Sequence, residues 1–169
     1  MIKQSDEVYV AKDANTTVSR GTVELLKSHA RNTTRGRARL CLHQSSQEAV
    51  HEMVIVHPHG AYIPPHKHET KSETILILEG KCDYFIFSET GEIERKIALC
   101  TASEGGEFLF RLTEPLYHSL LIQSEELIFL EITKGPFNRE ETKFAPWAPD
   151  AGCTEEVEKF HALLAAWGT

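Results

Sequence analysis

The chain has no apolar run long enough to cross a membrane. Its longest are strand-sized and broken by charges, so no transmembrane helix and no membrane partner are expected. Residues 1–13 are polar and charged with no apolar stretch among them. That pattern predicts no secretory signal and places the protein in the cytoplasm. Cysteine is sparse. Cys41, Cys82, Cys100 and Cys153 are scattered, and no two stand at Cys-x-x-Cys spacing. This argues against a zinc finger, a redox motif or a disulfide framework. Basic residues are outnumbered, 18 Lys and Arg against 25 Asp and Glu, for a net charge of −7. A phosphate backbone needs a cationic face, so no nucleic-acid partner is expected. There is no internal repeat and no low-complexity segment.

What remains is enough for one core: 169 residues, 41% of them hydrophobic. Thr22 can cap a short helix over 23–30, with Val23, Leu26 and Ala30 on one face. Strand-like runs rich in β-branched and aromatic residues then follow at 52–56, 73–78, 82–87, 93–99, 107–112, 117–122 and 127–133. Turn signals separate them, among them Pro58-His59-Gly60, Gly80, Gly105-Gly106 and Gly135-Pro136. Many short strands with no helices between them predict an all-β sandwich or barrel. The Pro-rich segment 144–149 cannot be helix or central strand, and it is expected to lie extended with Phe144 and Trp147 as anchors. Thr154 then reads as the cap of a C-terminal amphipathic helix. Its Val157, Phe160, Leu164 and Trp167 face either the barrel or a second copy of the chain, as in a homodimer. The predicted organisation is an N-terminal extension (1–36), a barrel (37–137) and a C-terminal extension (138–169).

The chemistry concentrates at His66, His68, Glu73 and His118. Residues two apart on a strand share a face, so His66 and His68 project together, and Pro64 and Pro65 stiffen their approach. Glu73 opens the next strand after a short reversal, which brings its carboxylate back beside them. His118 opens another strand after the Glu114-Pro115 turn. Three neutral imidazoles and a carboxylate bind one divalent transition metal well, and the donor set does not choose among Fe, Mn, Ni, Co, Cu and Zn.

Gly60, His66, His68, Glu73 and Gly80 match the fixed positions of the first cupin motif, and His118 matches the histidine of the second. Further features resemble the WbuC-type cupin-fold metalloproteins. These are the Arg-rich lead into residues 38–43, the His-x-His core, the run 131–137, and the Phe-Ala-Pro-Trp-Ala-Pro stretch at 144–149. Together they span roughly residues 19–150. The resemblance implies a single cupin jelly-roll β-barrel with a divalent metal in its mouth. It also implies an association, in some members, with surface polysaccharide genes, and it leaves the reaction open.

Arg31, Arg35, Arg37 and Arg39 form a basic run in an acidic chain. Arg37 and Arg39 share a face if extended, which suits a clamp on the carboxylate or phosphate of a small-molecule ligand such as an anionic sugar derivative. Glu131 is the one charge in the apolar run 127–132. If 122–127 is a simple hairpin, Glu131 lies opposite His118 and faces inward as a general base. His57 and His59 read as turn residues beside Pro58 and Gly60, and His29, His51 and His161 as surface residues. Three functions fit. A sugar or sugar-nucleotide isomerase or epimerase would use the metal to polarise a carbonyl. A metal dioxygenase would use two adjacent open positions of an octahedral ion. A non-catalytic binding module needs neither.

Overall fold

The computed structural model describes residues 1–168; Thr169, the end of the expected C-terminal extension, lies outside the described residues. The strands are β1 (Ile2–Lys3), β2 (Val8–Val10), β3 (Ala38–Cys41), β4 (Val50–Pro58), β5 (His66–His68), β6 (Glu73–Glu79), β7 (Cys82–Phe87), β8 (Ile93–Leu99), β9 (Leu109–Leu112), β10 (Tyr117–Ile122), β11 (Glu126–Lys134) and β12 (Thr142–Phe144). Helix α1 (Arg20–Arg31) falls between β2 and β3, and α2 (Thr154–Ala166) closes the chain. The fold is mostly β with two helices.

The strands form two sheets, one in the order β1-β2-β3-β4-β11-β6-β9 and one in the order β12-β5-β10-β7-β8. Pairing is antiparallel apart from β2 beside β3. Of the expected jelly-roll barrel, the structure shows two sheets packed face to face; among the described residues no ladder closes them into a ring. Inward side chains such as Ile55, Ile75, Tyr84, Leu120 and Phe129 fill the space between them. The connection from β10 to β11 shows how the sheets separate. Rather than a hairpin, residues 123–125 carry the chain from one sheet to the other. Gln123 N donates to Lys81 O at 3.0 Å, and Lys81 N donates to Ser124 Oγ at 3.0 Å.

Each helix covers the outer face of one sheet. α1 begins three residues earlier than the sequence predicts, because Ser19 is its cap. Ser19 Oγ accepts from Thr22 N at 3.2 Å and Thr22 Oγ1 accepts from Ser19 N at 3.4 Å, so Thr22 closes the capping box from inside the helix. Leu26 and Ala30 bury against Tyr9, Leu40, Val54, Val56 and Ile128 of the seven-stranded sheet. Complete burial of Leu26 is worth roughly 2 kcal/mol. The same face carries a buried Lys27, ion-paired with Glu79, with Glu24 at 3.3 Å and with Glu126 at 3.4 Å.

The C-terminal helix packs on its own chain. Leu164 and Phe160 meet Phe85, Phe87 and Tyr117 on the outer face of the five-stranded sheet. Its cap is Cys153, not Thr154, and no side chain bonds there. Trp147 anchors the Pro-rich segment as expected, packing at 5.2 Å from Phe87 and donating from Nε1 to Glu89 O at 3.1 Å. Phe144 does not anchor it: this side chain is 63% exposed, at the end of β12.

Candidate metal centre

Three strands bring the predicted ligands together. His118 on β10 lies directly opposite His66 on β5, so both rings leave the sheet on the same side. His68, two residues on, joins them; the ring centroids are 4.4 Å (His66–His118), 5.2 Å (His66–His68) and 5.7 Å (His68–His118) apart. Glu73 enters from the other sheet as the first residue of β6, next to Thr133, whose hydroxyl donates to Ser72 O at 3.0 Å. One ligand atom from each of the four lies within 4.8 Å of the others. Any ion held there would tie the two sheets together.

The hydrogen bonds orient the rings for ligation. His66 Nδ1 donates to Pro64 O at 2.9 Å and His118 Nδ1 donates to Leu116 O at 3.0 Å. Each bond puts the proton on Nδ1 and leaves the Nε2 lone pair free. His68 Nδ1 lies 3.3 Å from Thr142 Oγ1, and its Nε2 lies 3.3 Å from Glu73 Oε2. His118 Nε2 is buried with no hydrogen-bond partner. Burial, reinforced by His118, holds His66 down at about 3, and burial also lowers His118. Burial pushes Glu73 up, but the hydrogen bond from His68 and the nearby histidines bring it to about 2. Neutral imidazoles around an ionised carboxylate are the forms that bind a divalent ion. The donor set fits the group.

These residues wall a cavity of about 640 Å³ between the sheets. Glu131 also lines it, though not through the pairing the sequence suggested. β10 and β11 belong to different sheets, so Glu131 pairs with Met53 and Ile75, whose side chains are in the core. Burial first, then the Glu73 charge, raises its carboxyl to about 8, with Arg39 and Lys71 pulling the other way. Arg37 and Arg39 both line the cavity. Arg37 Nε is bound to Glu7 at 2.7 Å, whereas Arg39 Nε is buried with no partner.

Three lining residues escaped the sequence reading. His51 and His57 are buried on β4 and turned inward with Met53 and Ile55, so neither is a surface or turn residue. The period-two alternation of 51, 53, 55 and 57 carried that signal. Tyr84 stacks on His118, with centroids 5.4 Å apart and planes at 11°, and its hydroxyl is buried without a partner. Burial and the charges of Glu73 and Glu131 raise that phenol.

Residues 18–99, a little under half of the chain, match the model of a domain of unknown function, DUF6016. A comparison with curated proteins finds no match. Similar solved structures include CapF with an inhibitor, at TM-score 0.55 and 14% identity, covering 67% of this chain and 32% of CapF. A Shewanella oneidensis protein matches at TM-score 0.53 and 12% identity, covering 66% of this chain and 75% of its own. Recombinant oxalate oxidase in complex with glycolate matches at TM-score 0.51 and 14% identity, covering 68% and 58%. The chain thus spans about a third of the length of CapF. At these identities the likeness concerns the fold, and that fold is cupin-like.

Proposed function

We propose that this chain is a WbuC-type, jelly-roll cupin that binds one divalent transition metal and isomerises or epimerises a sugar or sugar nucleotide in surface polysaccharide metabolism. The observation that carries the reading is the pairing of two features in one cavity. His66, His68, Glu73 and His118 converge on a point, and the Glu131 carboxyl faces the same space. A divalent ion there would supply a Lewis acid that polarises a carbonyl oxygen.

Glu131 is the acid–base group of this reading. A carboxyl held at about 8 exchanges its proton readily near neutral pH, where an ordinary glutamate stays ionised. In isomerisation it removes a proton from the carbon beside the carbonyl and returns it to the former carbonyl carbon, while the neighbouring hydroxyl proton passes to the carbonyl oxygen. Epimerisation takes its returning proton from a second donor on the opposite face. The atoms balance without an oxidant. Inward Met53, Ile75 and Phe129 keep that part of the cavity apolar and limit water near the exchanging proton.

Elemental analysis of protein purified without added metal comes first. The metal-loaded protein is then incubated with aldoses, ketoses and nucleotide-linked sugars in D₂O, and NMR follows deuterium uptake beside the carbonyl. Uptake that is lost in Glu131→Gln while metal content persists supports the reading. Metal-dependent oxygen consumption without exchange would replace it with the dioxygenase, and tight ligand binding with neither would leave a binding module.

A further inference from the structure

Among the described residues, five buried polar atoms without a hydrogen-bond partner line this same cavity: Arg39 Nε, His51 Nε2, His57 Nδ1, Tyr84 Oη and His118 Nε2. His118 belongs to the ligand cluster; the other four do not. Protein interiors leave few such groups, and each calls for a partner. Arg39 is the most pointed case. Its neighbours in the basic run are neutralised, Arg35 and Arg37 by Glu7 and Arg31 by Glu126, at 2.6–2.7 Å. Among the described residues no carboxylate lies within ion-pair distance of Arg39, although it projects from β3 into the cavity. An inward guanidinium whose buried Nε has no partner, in a chain of net charge −7, is suited to receive an anion.

We propose that Arg39 forms a subsite for the carboxylate of a sugar acid whose carbonyl end faces the histidine cluster, with His57 and Tyr84 lining the same cavity. The inference deepens the proposed function and rests on its reading of the cavity as a substrate site. Sheet order sets the length of the ligand. β3 lies three strands from β6, the strand of Glu73, and neighbouring strands stand roughly 4.8 Å apart. Even with the reach of both side chains, a two-carbon acid does not join the two ends, while a six-carbon sugar acid does. Charge sets the anion. The ionised Glu73 shares the cavity, so a monoanionic carboxylate meets less repulsion than a phosphate dianion. Tyr84 Oη and His57 Nδ1 offer the hydrogen bonds that ring hydroxyls can satisfy.

Calorimetry at fixed ionic strength tests this with glucuronate, galacturonate, their neutral parents glucose and galactose, and glucose 6-phosphate. Wild-type protein is used both metal-loaded and chelator-stripped. The uronates should bind at least tenfold more tightly than the neutral hexoses. Arg39→Gln should erase that preference, and Arg39→Lys should keep part of it. Arg35→Gln, altered at an arginine outside the cavity lining, should behave as wild type. Unchanged metal content and circular dichroism establish that Arg39→Gln is folded. Equal binding of acids and neutral sugars, a preference that survives Arg39→Gln, or preference for the phosphate overturns the subsite. Failure of the metal reading looks different: no stoichiometric metal, with the uronate preference intact in stripped protein.

Discussion

His118 stands directly opposite His66 across the β5–β10 pair, with ring centroids 4.4 Å apart, while the carboxylate that completes their cluster comes from the other sheet. A bound ion therefore links the two sheets, and its loss should be felt by the whole fold. His66→Ala, and the double variant with His68→Ala, should abolish stoichiometric metal uptake. They should also remove the rise in Tm that added metal gives the wild type. Mass action sets the stabilisation behind that rise at about 2.7 kcal/mol when free metal is a hundredfold above Kd. A double variant that still holds one equivalent of metal, by elemental analysis, would refute the site.

Glu131 makes stability depend on pH, and the sign follows from its carboxyl. In the fold it is raised from 4.5 to about 8, so the folded state keeps a proton that the unfolded state releases. The stability this contributes is complete below pH 4.5 and is lost as pH rises through about 8. Glu131→Gln has no such proton to lose. In chelator-treated protein, Tm of Glu131→Gln minus Tm of wild type should grow from pH 5 to 9, by roughly 2–4 °C for each kcal/mol. The depressed histidines, His57 and His66, are common to both proteins and cancel in the difference. A difference flat across that range would mean that the carboxyl is solvated.

Lys27 is 6% exposed and holds α1 to the sheet through Glu79 and Glu126, while Glu24 on its own helix is an exposed partner. Lys27→Met keeps the apolar stem but leaves Glu126, 10% exposed in its side chain, with Arg31 alone. Urea unfolding should show a loss of roughly 1–3 kcal/mol. Glu24→Gln, which removes only the exposed pair, should cost less than about 0.5 kcal/mol. Metal content should not change in either, since α1 lies on the outer face.

Three of the four ligands were legible in the sequence because their geometry is local, whereas His118 lies on the distant β10 and stood out through the resemblance to the second cupin motif. A strand repeats every two residues, so His66 and His68 had to share a face, and Glu73 needed only a short reversal. What escaped depends on long-range pairing. β2 is three residues long and pairs in parallel with β3 across the whole of α1, which no local pattern encodes. Glu131 was singled out as a charge in an apolar strand, but its supposed partner strand lies in the other sheet. Residues 123–125 look like a hairpin turn, and only the bonds to Lys81 show that they are a crossing. Arg37 and Arg39 looked equivalent, and the difference between them is Glu7, 30 residues from Arg37 in the chain.

Trp147 links the C-terminal segment to the metal ligands. β12 pairs with β5 so that Phe144 lies opposite His66 and Thr142 opposite His68, and Ala145 N donates to Pro65 O at 2.9 Å. This short strand backs the ligand strand, yet three residues of ladder are weak alone. Its hold comes from Trp147, whose ring packs 5.2 Å from Phe87 and 5.8 Å from Tyr117 and closes over Gly91. Trp147→Ala should therefore loosen β12 from β5 as well as remove buried area, at a stability cost of about 3 kcal/mol. Because His68 rests on Thr142, metal affinity should fall about tenfold or more. Phe144→Ala, at an exposed position in the same strand, should leave both stability and affinity near wild type. Chelator competition on the three proteins reads the affinities. If Trp147→Ala is destabilised but binds metal as the wild type does, the segment is only packing, and β5 holds its histidines without it.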